Sequence, residues 1–400
     1  MRKADTKSPG LTSETAPRTK GISDVIIFLG YRKIKSDYKL EKRFYIKMAK
    51  KTVALLFGGV SSEYEVSCLS VSSVFENVDR EKYEPVLVGI TKTGEWYLYG
   101  GEIEKVRAHE WDKDSENLKK AFICPDRTVH GLMVEGENGW EELYVDVVYP
   151  VLHGKNGEDG TMQGLLEIAG IPYVGCKVLA SAVCMDKEVC HSVLKGAGVP
   201  QVKWLTYFRG NVDYSEAEKA VETELGWPVF VKPANAGSSV GISMVKSAGM
   251  LKEAMELAFE HDVKIIIEEA VKSPIEVECA VLGNEELLVG GPGEIVPADE
   301  FYSYDAKYFN DESETFLKAR IEDSVAEEIR ETAKKAYKIL GCSGLTRVDF
   351  LIDGESGKIV LNEPNTLPGF TNISMYPKLI MSTGMTYSEL IDKLLELACE

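Results

Sequence analysis

The chain has 400 residues, of which 44% are hydrophobic and 28% charged, and its formal net charge is −18. This length exceeds one ordinary hydrophobic core and predicts two or three globular domains. An acidic balance argues against nucleic acid as the main partner, since phosphate backbones bind basic surfaces. No run of about eighteen apolar residues occurs, so no membrane-spanning helix and no membrane partner are expected.

Residues 1–47 differ from the rest, with twelve Lys and Arg against five Asp and Glu and no hydrophobic periodicity. We expect a disordered extension here; a functional basic arm is the alternative. The eight cysteines of the whole chain form no C-x-x-C pair. At this chain length a disulfide framework is not expected, which favours a cytoplasmic setting.

The ordered part begins with a strand, Lys51 to Phe57, that runs into Gly58-Gly59 and a polar helix start. This strand–turn–helix pattern predicts an α/β domain with an open parallel sheet, whose ligands bind at the carboxyl ends of the strands. Further strands are expected at 83–90 and 143–151, with an irregular insertion at 91–142. Glu63 at the helix start either caps the helix or holds a substrate ammonium, and His153 is either structural or part of a substrate site.

In the centre, helices are expected at 184–197, 215–225 and 248–260, and strands at 202–208, 228–232 and 263–268. Lys232 precedes the loop Gly237-Ser238-Ser239, whose small residues suit either a phosphate cradle or a tight turn. No P-loop motif occurs and no G-x-G-x-x-G follows the first strand, which argues against a P-loop NTPase and a dinucleotide enzyme. Glu268 and Glu269 end a strand, where they either meet solvent or line an adenine pocket, and Glu276 is a further ribose candidate.

The C-terminal part is predicted to contain strands at 276–282 and 286–290, a polar loop at 297–318, and helices at 323–340 and 386–398. Loops as long as 297–318 inside compact domains are usually lids or disordered.

The run Asp349 to Asn365 predicts a hairpin, with Asp353 to Gly357 as its turn. Residues two apart share a strand face, so Glu363 and Asn365 lie together and the neighbouring strand can bring Asp349 beside them. Three oxygen ligands suit Mg²⁺; a solvated sheet face is the alternative. Arg347, two residues before Asp349, is either a salt-bridge partner or an oxyanion stabiliser.

Eight segments of residues 51–398, in the family's order, resemble the ATP-grasp D-alanine–D-alanine ligase family. They include HGKNGEDGTMQGLLE (153–167), VKPANAGSSVG (231–241), GCSGLTRVDF (341–350) and LNEPNTLPGFTNISMYP (361–377). The resemblance implies a three-domain ATP-grasp fold, with ATP between the central and C-terminal domains. We expect the domains at 48–178, 179–271 and 272–400, the last carrying the lid.

The resemblance also implies a cytoplasmic, dimeric enzyme of peptidoglycan precursor synthesis. ATP would phosphorylate the carboxylate of one D-alanine, and the amine of a second would attack the acyl phosphate. The metal ligands, for two Mg²⁺ or Mn²⁺ ions, would be Asp349, Glu363 and Asn365. Residues implied to hold ATP are Lys187, Lys232, Ser238, Ser239, Glu268, Glu269, Val271, Glu276 and Lys307.

Carried over by motif, Glu63 and His153 would hold the first substrate, and Ser374 with Met375 the second. Arg347 and the backbone N–H of Gly369 would form the oxyanion site. Glu63, Ser238 and Tyr308 would close the site as a hydrogen-bonded triad. Residues catalytic by this analogy are Glu63, Ser238, Arg347, Tyr308 and Gly369.

The second substrate has two candidates. The stretch 75–99 resembles the D-alanine–D-serine ligases of the vancomycin-resistance group, so D-serine is the alternative to D-alanine. Tyr308 on the lid argues against D-lactate. A binding-only nucleotide module is the alternative from another class, and the presence of Arg347 together with all three candidate metal ligands argues against it.

Overall fold

A computed structural model describes residues 50–237, 240–296 and 314–400. The predictions for residues 1–47, Ser238, Ser239, Lys307 and Tyr308, and for the lid at 297–313, lie outside the described residues. No helix in the described ranges is long and apolar enough to cross a membrane.

The N-terminal region is built on a seven-stranded sheet. Its parallel part pairs β1 (Lys51–Gly58) with β2 (Tyr83–Ile90) on one side and β7 (Val147–Pro150) on the other. The interior of β1, residues 53–57, is completely buried, as expected for a parallel strand covered on both faces. The helices of this region are α1 (Tyr64–Asn77), α2 (Ile103–Arg107) and α3 (Thr161–Ala169).

The insertion at 91–142 is more regular than its sequence suggests. It extends the sheet with antiparallel strands β3 (Trp96–Tyr99), β4 (Leu118–Ile123), β5 (Gly131–Gly136) and β6 (Gly139–Tyr144). The single strand expected at 143–151 is wrong: its first residues belong to β6 and the remainder to β7, at opposite ends of the strand order β6-β5-β4-β3-β2-β1-β7. Apolar residues on both sides of Asp146 concealed the break, and Val145, which lies between the two strands, is also fully buried.

A four-stranded sheet, in the order β10-β9-β11-β8, forms the centre. Its strands are β8 (Trp204–Phe208), β9 (Val229–Pro233), β10 (Ser243–Val245) and β11 (Lys264–Glu269). The helices are α4 (Val178–Met185), α5 (Lys187–Gly196), α6 (Tyr214–Ala220) and α7 (Leu251–His261). Asp186 separates α4 from α5, where the sequence predicted one helix, and its side chain caps α5 by accepting a hydrogen bond from the Val189 N–H.

A five-stranded antiparallel sheet, in the order β14-β13-β12-β15-β16, follows. Its strands are β12 (Ile275–Leu282), β13 (Leu288–Val296), β14 (Glu314–Phe316), β15 (Leu345–Ile352) and β16 (Ile359–Asn365). The helices are α8 (Asp323–Leu340), α9 (Met375–Met381) and α10 (Tyr387–Leu397). The hairpin of β15 and β16 and the bounds of α8 are confirmed. Residues 314–316, expected in the loop, form the edge strand β14.

The N-terminal and C-terminal regions share one hydrophobic core. Val53 and Leu55 of β1 belong to the same buried cluster as Leu390 and Leu394 of α10. A hydrogen bond also joins the two regions, since the Tyr83 hydroxyl donates to Asp392 on α10 at 2.6 Å. This packing fixes the ends of the N-terminal strands relative to the C-terminal sheet.

Candidate active site

A cavity of about 710 Å³ opens where the three sheets meet. Its walls come from the loop after β1, from β9 and β11 of the central sheet, and from β15 and β16 of the C-terminal sheet. The predicted site residues that line it are Glu63, Lys187, Lys232, Glu268, Glu269, Val271, Glu276, Arg347, Glu363, Asn365 and Gly369. Segments more than 300 residues apart in sequence therefore contribute to one space.

Part of the cavity wall is apolar. Phe230 of β9 and Met244 of β10 line it from the central sheet, and Leu351 of β15 lines it from the C-terminal sheet. Leu351 pairs in register with Glu276, which puts a carboxylate at the edge of this apolar slot. An apolar slot edged by polar groups is the usual form of a base-binding pocket. Sequence reasoning missed these three residues, because apolar side chains on strands are expected to fill cores.

Two lysines mark the cationic part. Lys187 at the start of α5 donates to the Ala236 carbonyl at 3.1 Å and lies 3.5 Å from the Glu363 carboxylate. Lys232 of β9 lies 2.6 Å from Glu268. The described part of the loop after Lys232 thus contacts the Lys187 ammonium through Ala236, an arrangement that suits a phosphate-binding loop.

Glu268 contacts two side chains at the back of the cavity. One carboxylate oxygen accepts from Lys232 at 2.6 Å and the other lies 2.9 Å from His191 Nε2. Burial by itself would raise the pKa of Glu268, but Lys232 and His191 together hold it below its usual range. Glu268 therefore holds the Lys232 ammonium in place at the cavity wall. His191 had no recognisable signal in the sequence.

The acidic part is built on the predicted hairpin. Asp349 pairs in register with Glu363, and Arg347 with Asn365. The Asn365 amide donates to Asp349 at 3.0 Å, so the structure brings these three predicted ligands together. In the described ranges no three His, Cys, Asp or Glu side chains form a metal-binding group. This set, two carboxylates and an amide, supplies hard oxygen donors and fits Mg²⁺ bound partly through phosphate oxygens.

Arg347 is held rigidly at the edge of this acidic part. Its guanidinium forms a fork on Asp349, with bonds of 2.8 and 2.7 Å, and lies 3.2 Å from Glu278. A bidentate arginine of this kind keeps a fixed direction and charge. Arg347 is thus a salt-bridge partner, as one interpretation of the sequence had it, and it also lines the cavity; its role as an oxyanion stabiliser stays a prediction.

Glu63 sits where two glycine-containing loops approach it. A Cβ on Gly154 would lie 2.3 Å from the Glu63 carboxylate, and one on Gly237 would lie 2.7 Å from it. Glu63 occupies the cap position of α1, yet its side chain makes no capping hydrogen bond. Helix capping therefore does not account for this carboxylate, which is buried at the cavity wall.

His153 lies behind the cavity wall, where it fixes a loop. Its Nδ1 is 2.8 Å from the Leu367 carbonyl, and its Nε2 is 3.0 Å from the Ser70 hydroxyl, which also accepts from the Phe370 N–H. Burial lowers the pKa of His153 to about 4, so the ring is neutral at neutral pH. Since a carbonyl only accepts, Nδ1 carries the proton.

Glu158, not predicted from the sequence, holds the same loop from another side. Its carboxylate accepts from the N–H groups of Gly154 at 2.7 Å and Leu367 at 3.0 Å. Burial and the nearby Glu63 raise the pKa of Glu158 to about 8. The loop of Thr366 to Gly369 that lines the cavity is thus fixed by N-terminal side chains.

Ser374 and Met375 are not among the cavity-lining residues of the described chain. Ser374 precedes α9, and its hydroxyl accepts from the Thr371 N–H at 3.1 Å. Met375 is buried against the core. Of the predicted substrate residues, the structure therefore brings only Glu63 to the cavity surface, and His153 directly behind it.

Two family profiles cover most of the chain. The D-ala D-ala ligase N-terminus profile matches residues 52–176, and the D-ala D-ala ligase C-terminus profile matches residues 193–396. This chain belongs to the D-alanine–D-alanine ligase family. The resemblance predicted from the motifs, the ATP-grasp α/β fold and the ligase enzyme class are thereby confirmed.

Individual family members agree. The D-alanine–D-alanine ligase of Caldicellulosiruptor bescii is 50% identical over 357 residues, covering 88% of this chain and 96% of that one. Among solved structures, the VanG D-Ala:D-Ser ligase from Enterococcus faecalis is 45% identical with a TM-score of 0.80, over 88% of this chain and all of that one. The D-alanine-D-alanine ligase from Coxiella burnetii is 34% identical with a TM-score of 0.75, and the match covers 88% of this chain and 94% of that one.

Proposed function

We propose that this enzyme uses ATP to join two D-alanines through an acyl phosphate, for peptidoglycan precursor synthesis. The observation that carries the proposal is the single cavity lined by Lys187, Lys232, Arg347, Glu363 and Asn365. Forming an amide from a free carboxylate is uphill in water, so a phosphoryl leaving group must supply the driving force. The cavity offers the groups for such a phosphoryl transfer: cations for a triphosphate, oxygen ligands for its metal and a guanidinium for the reacting carboxylate.

The nucleotide would lie with its base in the apolar slot of Phe230, Met244 and Leu351. Glu269 and Val271 would line the adenine edge, and Glu276 would take a ribose hydroxyl. Lys187 and Lys232 would then contact the phosphates. This arrangement is supported by a cavity wall that holds both an apolar slot and charged groups, with the Lys232 ammonium 5.7 Å from the centroid of the Phe230 ring.

ATP-dependent ligases of this family require a divalent cation, and we propose two Mg²⁺ or Mn²⁺ ions on Asp349, Glu363 and Asn365. When bound, such ions neutralise the terminal phosphates. Asn365 would present its carbonyl oxygen, while its amide nitrogen keeps Asp349 in place.

The first D-alanine would bind through its ammonium to Glu63, whose carboxylate is buried at the cavity wall. Its carboxylate oxygen attacks the terminal phosphorus of ATP and ADP leaves. The amine of the second D-alanine then attacks the acyl carbon, and the tetrahedral intermediate expels phosphate. Arg347 and the Gly369 N–H would stabilise the oxyanion of that intermediate, and the neutral His153 keeps the Leu367–Phe370 loop in position.

Other residues enter the proposal through family resemblance alone. Ser374 and Met375 would bind the carboxylate of the second substrate. Ser238 and Ser239 would cover the phosphates, and Lys307 and Tyr308 would belong to a lid, with Tyr308, Ser238 and Glu63 as a triad. We also propose domains at 48–178, 179–271 and 272–400, a homodimer, and cytoplasmic activity, which agrees with eight free thiols.

D-serine is the second candidate for the second position, because a 45% identical structure is titled a D-Ala:D-Ser ligase. Phosphate release with ATP and Mg²⁺ should be measured with D-alanine alone and with D-alanine plus D-serine or D-lactate, and the products identified by mass. Our proposal predicts D-alanyl-D-alanine as the main product in the mixture with D-serine. A dominant D-alanyl-D-serine product would favour the alternative, and the absence of release with every pair would refute both.

A further inference from the structure

Three ionisable side chains lie in a row that starts at the cavity wall. Lys232, Glu268 and His191 come from β9, β11 and α5, and the contacts within the row are 2.6 Å and 2.9 Å. Glu268 is 4% exposed and His191 is 3% exposed, so water screens these charges little. Lys232 and Glu268 both line the cavity, and Lys232 is the member whose positive charge makes it a candidate phosphate ligand.

The partners of His191 define its protonation. Nε2 faces a Glu268 oxygen and Nδ1 faces the Gln201 side chain. The amide nitrogen of Gln201 donates to the Pro200 carbonyl at 2.7 Å, so the amide oxygen is the atom turned towards His191. Both ring nitrogens therefore meet oxygens that carry no proton. Only an imidazolium, with an N–H on each nitrogen, satisfies both contacts.

The surroundings agree with a charged ring. The indole of Trp204 on β8 stacks on His191 at 5.0 Å between centroids. Lys195, one turn along α5, lies 4.7 Å from the centroid of the same indole and is a like charge that the stacking and the Glu268 contact must outweigh. A cation over an indole face is attracted by the ring quadrupole. Of the described ionisable groups, Glu268 from β11 contacts the imidazole directly, with Lys232 from β9 beyond that carboxylate.

We propose that His191 is a positioning residue for nucleotide binding, acting as an imidazolium that shares the charge of Glu268 and leaves the Lys232 ammonium available to phosphate. This inference rests on the proposed function, since it takes Lys232 as a phosphate ligand. With a charged His191 the row has two cations and one anion, so a net positive charge faces the nucleotide. With a neutral ring, Glu268 and Lys232 cancel, and the carboxylate competes with phosphate for the ammonium.

The test compares His191→Gln, which keeps a hydrogen-bond donor but no charge, with His191→Lys, which restores the charge. Binding of Mg-ATP is measured by titration calorimetry, and steady-state kinetics give kcat and the KM for ATP. We expect His191→Gln to weaken Mg-ATP binding about tenfold with kcat nearly unchanged, since a lost ground-state contact raises KM alone. We expect His191→Lys to bind within about threefold of the wild type.

The thermal midpoint separates positioning from mere packing. A packing defect should lower the thermal midpoint of both His191 variants and weaken Mg-ATP binding in both, whereas loss of positioning should raise the KM for ATP in His191→Gln alone. His130→Gln, in the N-terminal sheet, is the control for loss of a histidine and should match the wild type in both readouts.

The inference would be overturned if Mg-ATP binding weakened equally in His191→Gln and His191→Lys and the thermal midpoints of the two variants fell equally. It would also be overturned if His191→Gln bound Mg-ATP with wild-type affinity. Calorimetry keeps this outcome distinct from failure of the proposed function. A wild type that binds Mg-ATP but joins no amino acids would refute the ligase proposal and still allow the His191 comparison.

Discussion

Gly154 offers the sharpest test of how Glu63 is held. Its φ is +68°, and an added Cβ would lie 2.3 Å from the Glu63 carboxylate. An ordinary C···O contact is about 3.4 Å, so Gly154→Ala must displace that carboxylate by about 1 Å. Because a 1 Å misplacement at a reacting centre costs about 100-fold, we expect kcat/KM for D-alanine to fall by about that factor.

Gly357 supplies the matched control. Its φ is +71° and no atom lies within 4 Å of an added Cβ, on the turn of the hairpin. Both alanine variants carry the left-handed backbone penalty, about 1–2 kcal/mol. Both should therefore unfold at lowered temperatures, Gly154→Ala at the lower one because of its added contact, while only Gly154→Ala loses activity.

The assay measures kcat/KM for D-alanine at saturating ATP, together with Mg-ATP affinity and the thermal midpoint. Mg-ATP affinity should stay near wild type in both variants, since Glu63 is assigned to the amino acid. Equal kcat/KM values in the two variants would show that the Glu63 carboxylate is not required where the structure has it.

Three further changes probe other parts of the site. Arg347→Lys removes the paired hydrogen bonds to Asp349 and should lower kcat about 100-fold, while Mg-ATP affinity is largely kept. A wild-type kcat in this variant would exclude an oxyanion role for Arg347. Glu363→Gln should raise the Mg²⁺ concentration for half-maximal activity about tenfold, measured by metal titration; an unchanged value would remove it from the metal set. For His153, the folded pKa of about 4 lies below the ordinary 6.5, so its stabilising effect is present above about pH 6.5 and is lost as pH falls towards 4. By about pH 5 the wild type should have lost about 2 kcal/mol of unfolding free energy that His153→Gln keeps, as measured by unfolding the two proteins at a series of pH values. Parallel curves of unfolding free energy against pH would contradict this expectation.

The hairpin carrying Asp349, Glu363 and Asn365 could be predicted from the sequence, because strand alternation and a glycine-containing turn are local properties. Helix α8 could also be predicted from local sequence, because it has one apolar face and ends at Gly341, which adopts the left-handed conformation. Motif resemblance then supplied roles for residues that lie far apart in the chain.

Other parts depended on tertiary contacts. Phe230 and Leu351 look like core residues in sequence, and only the meeting of two sheets turns them towards a cavity. Residues 143–151 look like one strand, yet the chain leaves one end of the sheet at Tyr144 and enters the other at Val147. His191 and Glu158 act through partners distant in sequence, a property that no local pattern records.

The most direct test follows the carboxylate oxygens of D-alanine. The enzyme is incubated with ATP, Mg²⁺ and D-alanine labelled with ¹⁸O in both carboxylate oxygens, and the phosphate and dipeptide are analysed by mass. An acyl phosphate requires that one labelled oxygen leaves with phosphate while the other stays in the new amide. Dipeptide formed with unlabelled phosphate would contradict the account.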